Sequence, residues 1–323
     1  MRAILPRRPG HPETLTAPGT PLSYRRLTPA AGRTTRDRRR GSEPNRSLAV
    51  PAARVTDPNH PAVSAASAVP AASGASGGPS GDPVVRPAVI ELRQYTLRPG
   101  RRDELVELFD REFVETQEAA GMVVLGQFRD RDDPDRFVWL RGFTDMTARH
   151  RALTDFYGGP VWAEHGPRAN ATMLDSDNVL LLRPLADPSG FAVRPSERPP
   201  AGAPAPGTCV SATVWSFPAG RDEGVTLIRD GLLPVLRALG PSPLAALTTS
   251  TAPNTFPRLP VRTGENVAVV VTSYPDDEAR RRHLAEVLAH PVVRDEILPG
   301  IEKHRTAAPW TLRLAPTGRS LTV

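Results

Sequence analysis

From residue 88 onward, apolar and polar positions alternate, then recur at helical spacing, and the whole sequence of patterns comes round twice. In residues 89–100, VIELRQYTLRPG, alternation puts Ile90, Leu92, Gln94 and Thr96 on one face of a strand. Val89, Glu91, Arg93, Tyr95 and Leu97 fall on the other, and Pro99-Gly100 stops the strand. Residues 101–120 read as a helix with Leu105, Leu108, Phe109 and Phe113 in one apolar stripe and Gly121 as its C-cap. Residues 122–129 and 136–143 read as strands joined by the turn DRDDPD, since Asp and Pro favour tight reversals. Thr144 or Asp145 can cap a helix over 146–157, Gly158-Gly159-Pro160 breaks it, and a shorter helix runs over 161–174 before a strand at 178–183. The order β-α-β-β-α-β is the ferredoxin-like plan.

The same order follows a stretch rich in Pro, Ala and Gly over 185–207. Strands are predicted at 210–217, 244–250, 267–274 and 310–314, and helices at 221–239, 276–289 and 292–305, with a longer loop over 251–266. Short matches mark the repeat. Tyr95-Thr96 and Gly100-Arg101 correspond to Trp215-Ser216 and Gly220-Arg221, while Phe143-Thr144-Asp145 and Pro160-Val161 correspond to Tyr274-Pro275-Asp276 and Pro291-Val292. The predicted fold class is therefore α+β, with two tandem ferredoxin-like domains at 88–184 and 208–316. A short tail follows at 317–323.

Composition changes the picture at the N-terminus. Residues 1–87 carry 14 of the 37 prolines and a single aromatic residue, Tyr24, too little apolar surface to offset ordering entropy. They read as a disordered basic tail. The chain nets +6, but 13 arginines against 5 acidic residues sit in this tail, so the remainder is mildly acidic. A basic folded surface for specific nucleic-acid binding is not indicated. The one cysteine, Cys209, excludes an internal disulfide and a cysteine metal cluster, and fits a reducing, cytoplasmic setting. No apolar run is long enough for a membrane span, and the start MRAILPRRPGHPE lacks the apolar core of a signal peptide.

Three stretches together resemble the NIPSNAP family: Glu91–Gly100 (ELRQYTLRPG), Phe156-Tyr157 with Pro160-Val161-Trp162, and Asn178-Val179-Leu180-Leu181. The resemblance covers about 89–184. The second repeat is similar but diverged: it lacks the Glu-Leu-Arg opening and has Val293 opposite Trp162. The resemblance implies a dimeric α+β barrel in which two ferredoxin-like sheets meet face to face. Barrels of that wider superfamily include small monooxygenases and haem enzymes. It implies no assigned catalytic residue.

The candidate chemistry gathers on one strand face. If the aliphatic faces carrying Ile90, Leu92, Val138 and Leu140 pack on helices, the opposite faces collect Glu91, Arg93 and Tyr95 with Phe137, Trp139, Arg141 and Phe143 in the barrel. Arginines that bind carboxylates bidentately, set among aromatic rings, suit an anionic or aromatic small molecule. The bland alternative is that Glu91 and Arg93 satisfy one another with no ligand. The corresponding face of the second repeat has lost its charges: Ser211, Thr213, Trp215, Ala268, Val270, Thr272 and Tyr274.

Trp162 and His165 join the expected pocket, His165 as a candidate general base beside Glu164. His150 is expected to be a partly buried helix residue. His283, His290 and His304 are too widely spaced for a metal motif, and no cofactor is expected. Neither a dinucleotide fingerprint, nor G-x-S-x-G, nor H-E-x-x-H occurs. Three readings follow: a small-molecule-binding barrel protein; a cofactor-independent monooxygenase or isomerase in which Tyr95 or His165 handles protons; and a non-enzymatic interaction protein. The barrel could close within the chain or within a homo-oligomer.

Overall fold

Strand β1 (Val89–Leu97) pairs antiparallel on one side with β3 (Arg136–Phe143) and on the other with β4 (Met173–Pro184). From it the sheet continues in both directions until it meets itself. The computed structural model describes residues 83–323, and its eight strands form one closed barrel in the order β1-β3-β2-β8-β5-β7-β6-β4. The others are β2 (Val123–Asp130), β5 (Cys209–Ser216), β6 (Ala245–Thr249), β7 (Val267–Tyr274) and β8 (Trp310–Pro316). The first half contributes β4-β1-β3-β2 and the second β8-β5-β7-β6, which is the same order by position in each half. The seams are β2 with β8 and β4 with β6, so one chain closes the barrel without a second copy.

Helices lie outside the barrel. The first half has α1 (Arg102–Leu108), a π-helical turn (Phe109–Phe113), α2 (Val114–Ala119), α3 (Met146–Gly158) and α4 (Pro160–Thr172). The second has α5 (Glu223–Thr226), a π turn (Leu227–Leu232), α6 (Leu233–Leu239), α7 (Asp277–Ala289), another π turn (Val293–Ile297) and α8 (Leu298–His304). The two halves share local devices. Gly100 and Gly220 take φ of 73° and 72° after their strands, a left-handed turn that side chains other than glycine resist. Asp145 and Asp276 each cap the next helix, accepting from Ala148 and Ala279 backbone N–H at 2.7 Å.

Three cores follow from this arrangement. The barrel interior draws on all eight strands and no helix: Ile90, Leu92, Phe128, Val138, Leu140 and Leu180 meet Val210, Leu247, Val269 and Leu312. Eight strands leave an interior just wide enough for such side chains to fill. The second core lies between the first-half sheet and its helices and contains Tyr95, Phe137, Trp139 and Phe143 with Phe109, Phe113 and Phe156. The third lies under the second-half helices.

This inverts the expected assignment of faces. The aliphatic face of β1 and β3 fills the barrel, and the charged and aromatic face turns outward under the helices. A sealed barrel interior cannot hydrate charge, whereas a helix-covered face can supply polar partners from helices and loops.

The connecting segments are also packed. The tail expected over 1–87 lies outside the described residues as far as residue 82; of its last residues, Val85 pairs with Val193 and Pro87 is buried. Within the expected linker, Leu185 and Phe191 are buried, and Arg198 ion-pairs with Glu118. The C-terminal residues Thr317, Arg319, Ser320 and Thr322 are buried: Ser320 Oγ donates to the Gln127 carbonyl of β2 at 2.6 Å, and Arg319 ion-pairs with Glu115 of α2. No helix among the described residues is long and apolar enough to cross a membrane.

Candidate functional site

Antiparallel register sets Glu91 opposite Arg141, Arg93 opposite Trp139 and Tyr95 opposite Phe137. With side chains alternating along each strand, all six point to the helix side. Glu91 is the hub. Its Oε2 accepts from Arg93 Nη1 at 2.6 Å and from Arg141 Nε at 2.8 Å. Its Oε1 accepts from Arg149 Nε at 2.6 Å. Glu91, Arg141 and Arg149 are 0% exposed and Arg93 1%. Among the described residues Glu91 is the one carboxylate paired with any of the three guanidiniums, so the cluster holds more positive than negative charge.

The surroundings are aromatic. Arg93 and Arg141 lie 5.6 and 5.0 Å from the Trp139 ring centre, and Arg141 also approaches Phe143 and Tyr157. Arg141 Nη1 donates to Gln117 Oε1 at 3.3 Å, and Gln117 is held in place by donating to the Phe113 carbonyl. Arg149 Nη1 donates to Asn254 Oδ1 at 3.0 Å and to Thr255 Oγ1 at 3.3 Å, both in the loop between β6 and β7. Beside the cluster is a narrow cavity of about 20 Å³, lined by Tyr95, Phe113, Trp139, Tyr157, Trp162 and their neighbours on α1 and α4. That is room for about one water molecule.

Burial pushes Glu91 toward the neutral acid, but Arg141, Arg93 and Arg149 overcome it and hold the carboxyl far below its usual range. Burial likewise opposes charge on Arg93, yet Tyr95 and Glu91 raise it above the ordinary arginine value. Burial raises Tyr95, against the pull of Arg93, so its phenol stays neutral at ordinary pH. Arg93 Nε donates to the Tyr95 oxygen at 2.9 Å. An arginine cannot accept, so the phenolic hydrogen must point elsewhere. The Trp139 Nε1–H and Arg149 Nη2 are buried without hydrogen-bond partners.

The structure thus brings together Glu91, Arg93, Tyr95, Trp139 and Arg141. Trp162 is half-buried at the cavity wall, its ring lying over α4 where a Cβ on Gly166 would come within 2.7 Å of it. His165 is not brought in. It faces Glu112 at 3.5 Å and Glu164 at 3.8 Å, a quarter exposed, and does not line the cavity. His150, expected to be partly buried, is exposed, and its Nδ1 donates to the Thr255 carbonyl at 2.7 Å.

Sequence reasoning missed Arg149, Gln117, Asn254 and Thr255. Arg149 had a signal: it occupies the buried helical stripe with Ala152, Leu153 and Phe156, where an arginine needs a partner. Asn254 and Thr255 had none. Among the described residues no three His, Cys, Asp or Glu side chains form a group able to hold a metal ion.

Residues 90–187 match the NIPSNAP family model. No curated protein matches the chain. Among solved structures, an uncharacterized NIPSNAP-like domain protein from Burkholderia xenovorans is similar at 25% identity, over 31% of this chain and 86% of that one, with a TM-score of 0.29. A NIPSNAP family protein of unknown function from Agrobacterium tumefaciens is similar at 18% identity, over 30% and 86%, with a TM-score of 0.28. A proposed monooxygenase from Lactobacillus acidophilus is similar at 13% identity, over 74% and 100%, with a TM-score of 0.45.

Proposed function

Given a NIPSNAP domain over residues 90–187, we propose that this chain binds a small anionic molecule with an aromatic or other apolar body, held between the first-half sheet and its helices. The observation that carries this reading is the charge of the buried cluster: three guanidiniums on one carboxylate. Excess buried charge is costly unless paired, and an anionic group on a ligand would balance it. The spare polar groups are donors (Trp139 Nε1–H, Arg149 Nη2 and the Tyr95 hydroxyl), which suits an acceptor-rich ligand. The rings of Phe113, Trp139, Tyr157 and Trp162 supply apolar surface for its body.

In this reading the two halves are tandem ferredoxin-like units paired within one chain. The shared strand order, paired glycine turns, matching Asp caps and a π turn in the first helix of each half support it. The second unit keeps the frame without the charges that Glu91, Arg93 and Arg141 place on β1 and β3. The setting we propose is the cytoplasm, supported by the single buried free thiol of Cys209.

One observation favours a second reading, a cofactor-independent monooxygenase or isomerase. Tyr95 is a neutral phenol that lines the cavity with its oxygen held by Arg93. It could deliver a proton while Arg93 and Arg141 stabilise an enolate-like anion.

Native mass spectrometry of the purified protein, followed by calorimetric titration with benzoate and its neutral analogue benzyl alcohol, tests the first reading. Benzoate should bind and benzyl alcohol should not, and Arg93→Met should weaken benzoate at least tenfold. No retained molecule and equal or absent binding of both probes would reject it. Turnover of an enolisable aryl ketone without added cofactor, abolished in Tyr95→Phe, would establish the second.

A further inference from the structure

The loop over residues 251–266 belongs to the second half by connectivity, joining β6 to β7, yet it lies on the first half's site. Its base is pinned to β4: Ser250 N–H donates to the Leu181 carbonyl and Arg262 N–H to the Val179 carbonyl, each at 2.9 Å. At its tip, Asn254 and Thr255 hold Arg149, and the Thr255 carbonyl accepts from His150. Phe256, 7% exposed, packs into the first-half core and stacks on Tyr157 with centroids 6.0 Å apart and ring planes 29° apart. Tyr157 in turn meets Trp162 edge-on at 4.6 Å, and these two half-buried rings form part of the cavity wall.

The tip is also internally braced. The Phe256 N–H donates to Asn254 Oδ1 at 3.0 Å and Asn254 Nδ2 to the Leu259 carbonyl at 2.9 Å. One side chain, Asn254, therefore couples the loop's own shape to the position of Arg149.

We infer that residues 251–266 form the gate and size filter of the first-half site, with Asn254 positioning Arg149 and Phe256 backing the Tyr157–Trp162 wall. The inference rests on the ligand-binding reading above. A cavity with room for about one water cannot take an aromatic anion unless part of its wall moves. The half-buried pair Tyr157 and Trp162 is the part of that wall supported from outside by a loop, whereas Tyr95 and Trp139 are fixed on barrel strands. The second half, with no charged residue on β5 or β7 where the first half has Glu91, Arg93 and Arg141, thus serves the site through a loop.

Stopped-flow binding and calorimetry with benzoate and the larger 1-naphthoate test this on the full chain. Phe256→Ala should speed benzoate association at least fivefold and raise naphthoate affinity relative to benzoate. Phe256→Leu, which keeps apolar volume and guards against a folding defect, should shift both in the same direction by less. Asn254→Ala should raise the benzoate dissociation rate at least fivefold while keeping the far-ultraviolet circular dichroism of the folded wild type. Wild-type binding with rates and probe preference unaltered in all three variants would overturn the gate alone. No binding of either probe to the wild type would overturn the site and the gate together.

Discussion

Arg149 on α3 reaches the sheet to donate its Nε proton to Glu91 Oε1 across 2.6 Å, in surroundings from which both side chains are wholly excluded from water. Glu91 already carries two guanidiniums of its own sheet, so this third one ties a helix to a hub that is electrostatically over-supplied. The relationship makes Glu91 and its arginines unequal in what their loss would do.

Removing the hub leaves three buried cations facing each other. Glu91→Gln should therefore cost about 3–5 kcal/mol of folding stability, read by urea denaturation. The carboxyl is held well below its unfolded value near 4.5. Its contribution is thus fully present above about pH 4.5 and is lost as pH falls further toward the folded value. Wild-type stability should decline with acidification below that point, and Glu91→Gln should lack this part of the decline.

Removing one arginine relieves the excess. Arg149→Met keeps apolar volume and leaves Glu91 with two partners, so its stability should lie within about 1 kcal/mol of wild type. Benzoate affinity should nevertheless fall at least tenfold. A stability loss as large as that of Glu91→Gln would contradict the charge-excess description.

Asp110, in the first-half π turn, titrates in the opposite sense. Burial raises its carboxyl to about 6, against the hydrogen bond from Thr317 Oγ1 and the charge of Arg319. A raised acid favours folding when protonated, so its contribution is present at pH 4 and lost as pH rises through about 6. Asp110→Asn, which keeps the acceptor for Thr317, should raise stability by about 1 kcal/mol at pH 7.5 and leave it nearly unchanged at pH 4, measured as thermal midpoints at the two pH values.

Trp162 depends on the absence of a side chain one turn along α4. A Cβ at position 166 would meet the indole at 2.7 Å. Gly166→Ala should displace the ring, cost about 1–3 kcal/mol, and change the near-ultraviolet circular dichroism of the aromatic cluster. An unchanged aromatic spectrum would show that the ring can yield without leaving its place.

Much was legible without coordinates. The alternation in β1 and β3 assigned Glu91, Arg93, Tyr95, Trp139 and Arg141 to common faces, because side-chain direction in a strand is a local property with a period of two. Helical spacing located the apolar stripes, and Gly100 with Gly220 marked matched turns. The predicted elements fell within a few residues of those observed, except that β4 begins at Met173, well before the expected strand.

Local pattern determined which side chains share a face, but tertiary closure decided where each face looks. Both faces of β1 are shielded, one by the opposite barrel wall and one by helices, so burial alone leaves no mark in the sequence of which is inside. Closing eight strands created an interior filled by apolar side chains, Phe128 among the aliphatic ones, and this sent the charges outward under α3, where Arg149 could meet them. The same closure brought residues 254–256 onto Arg149 and Tyr157 across about a hundred residues of chain, a proximity that no local spacing encodes.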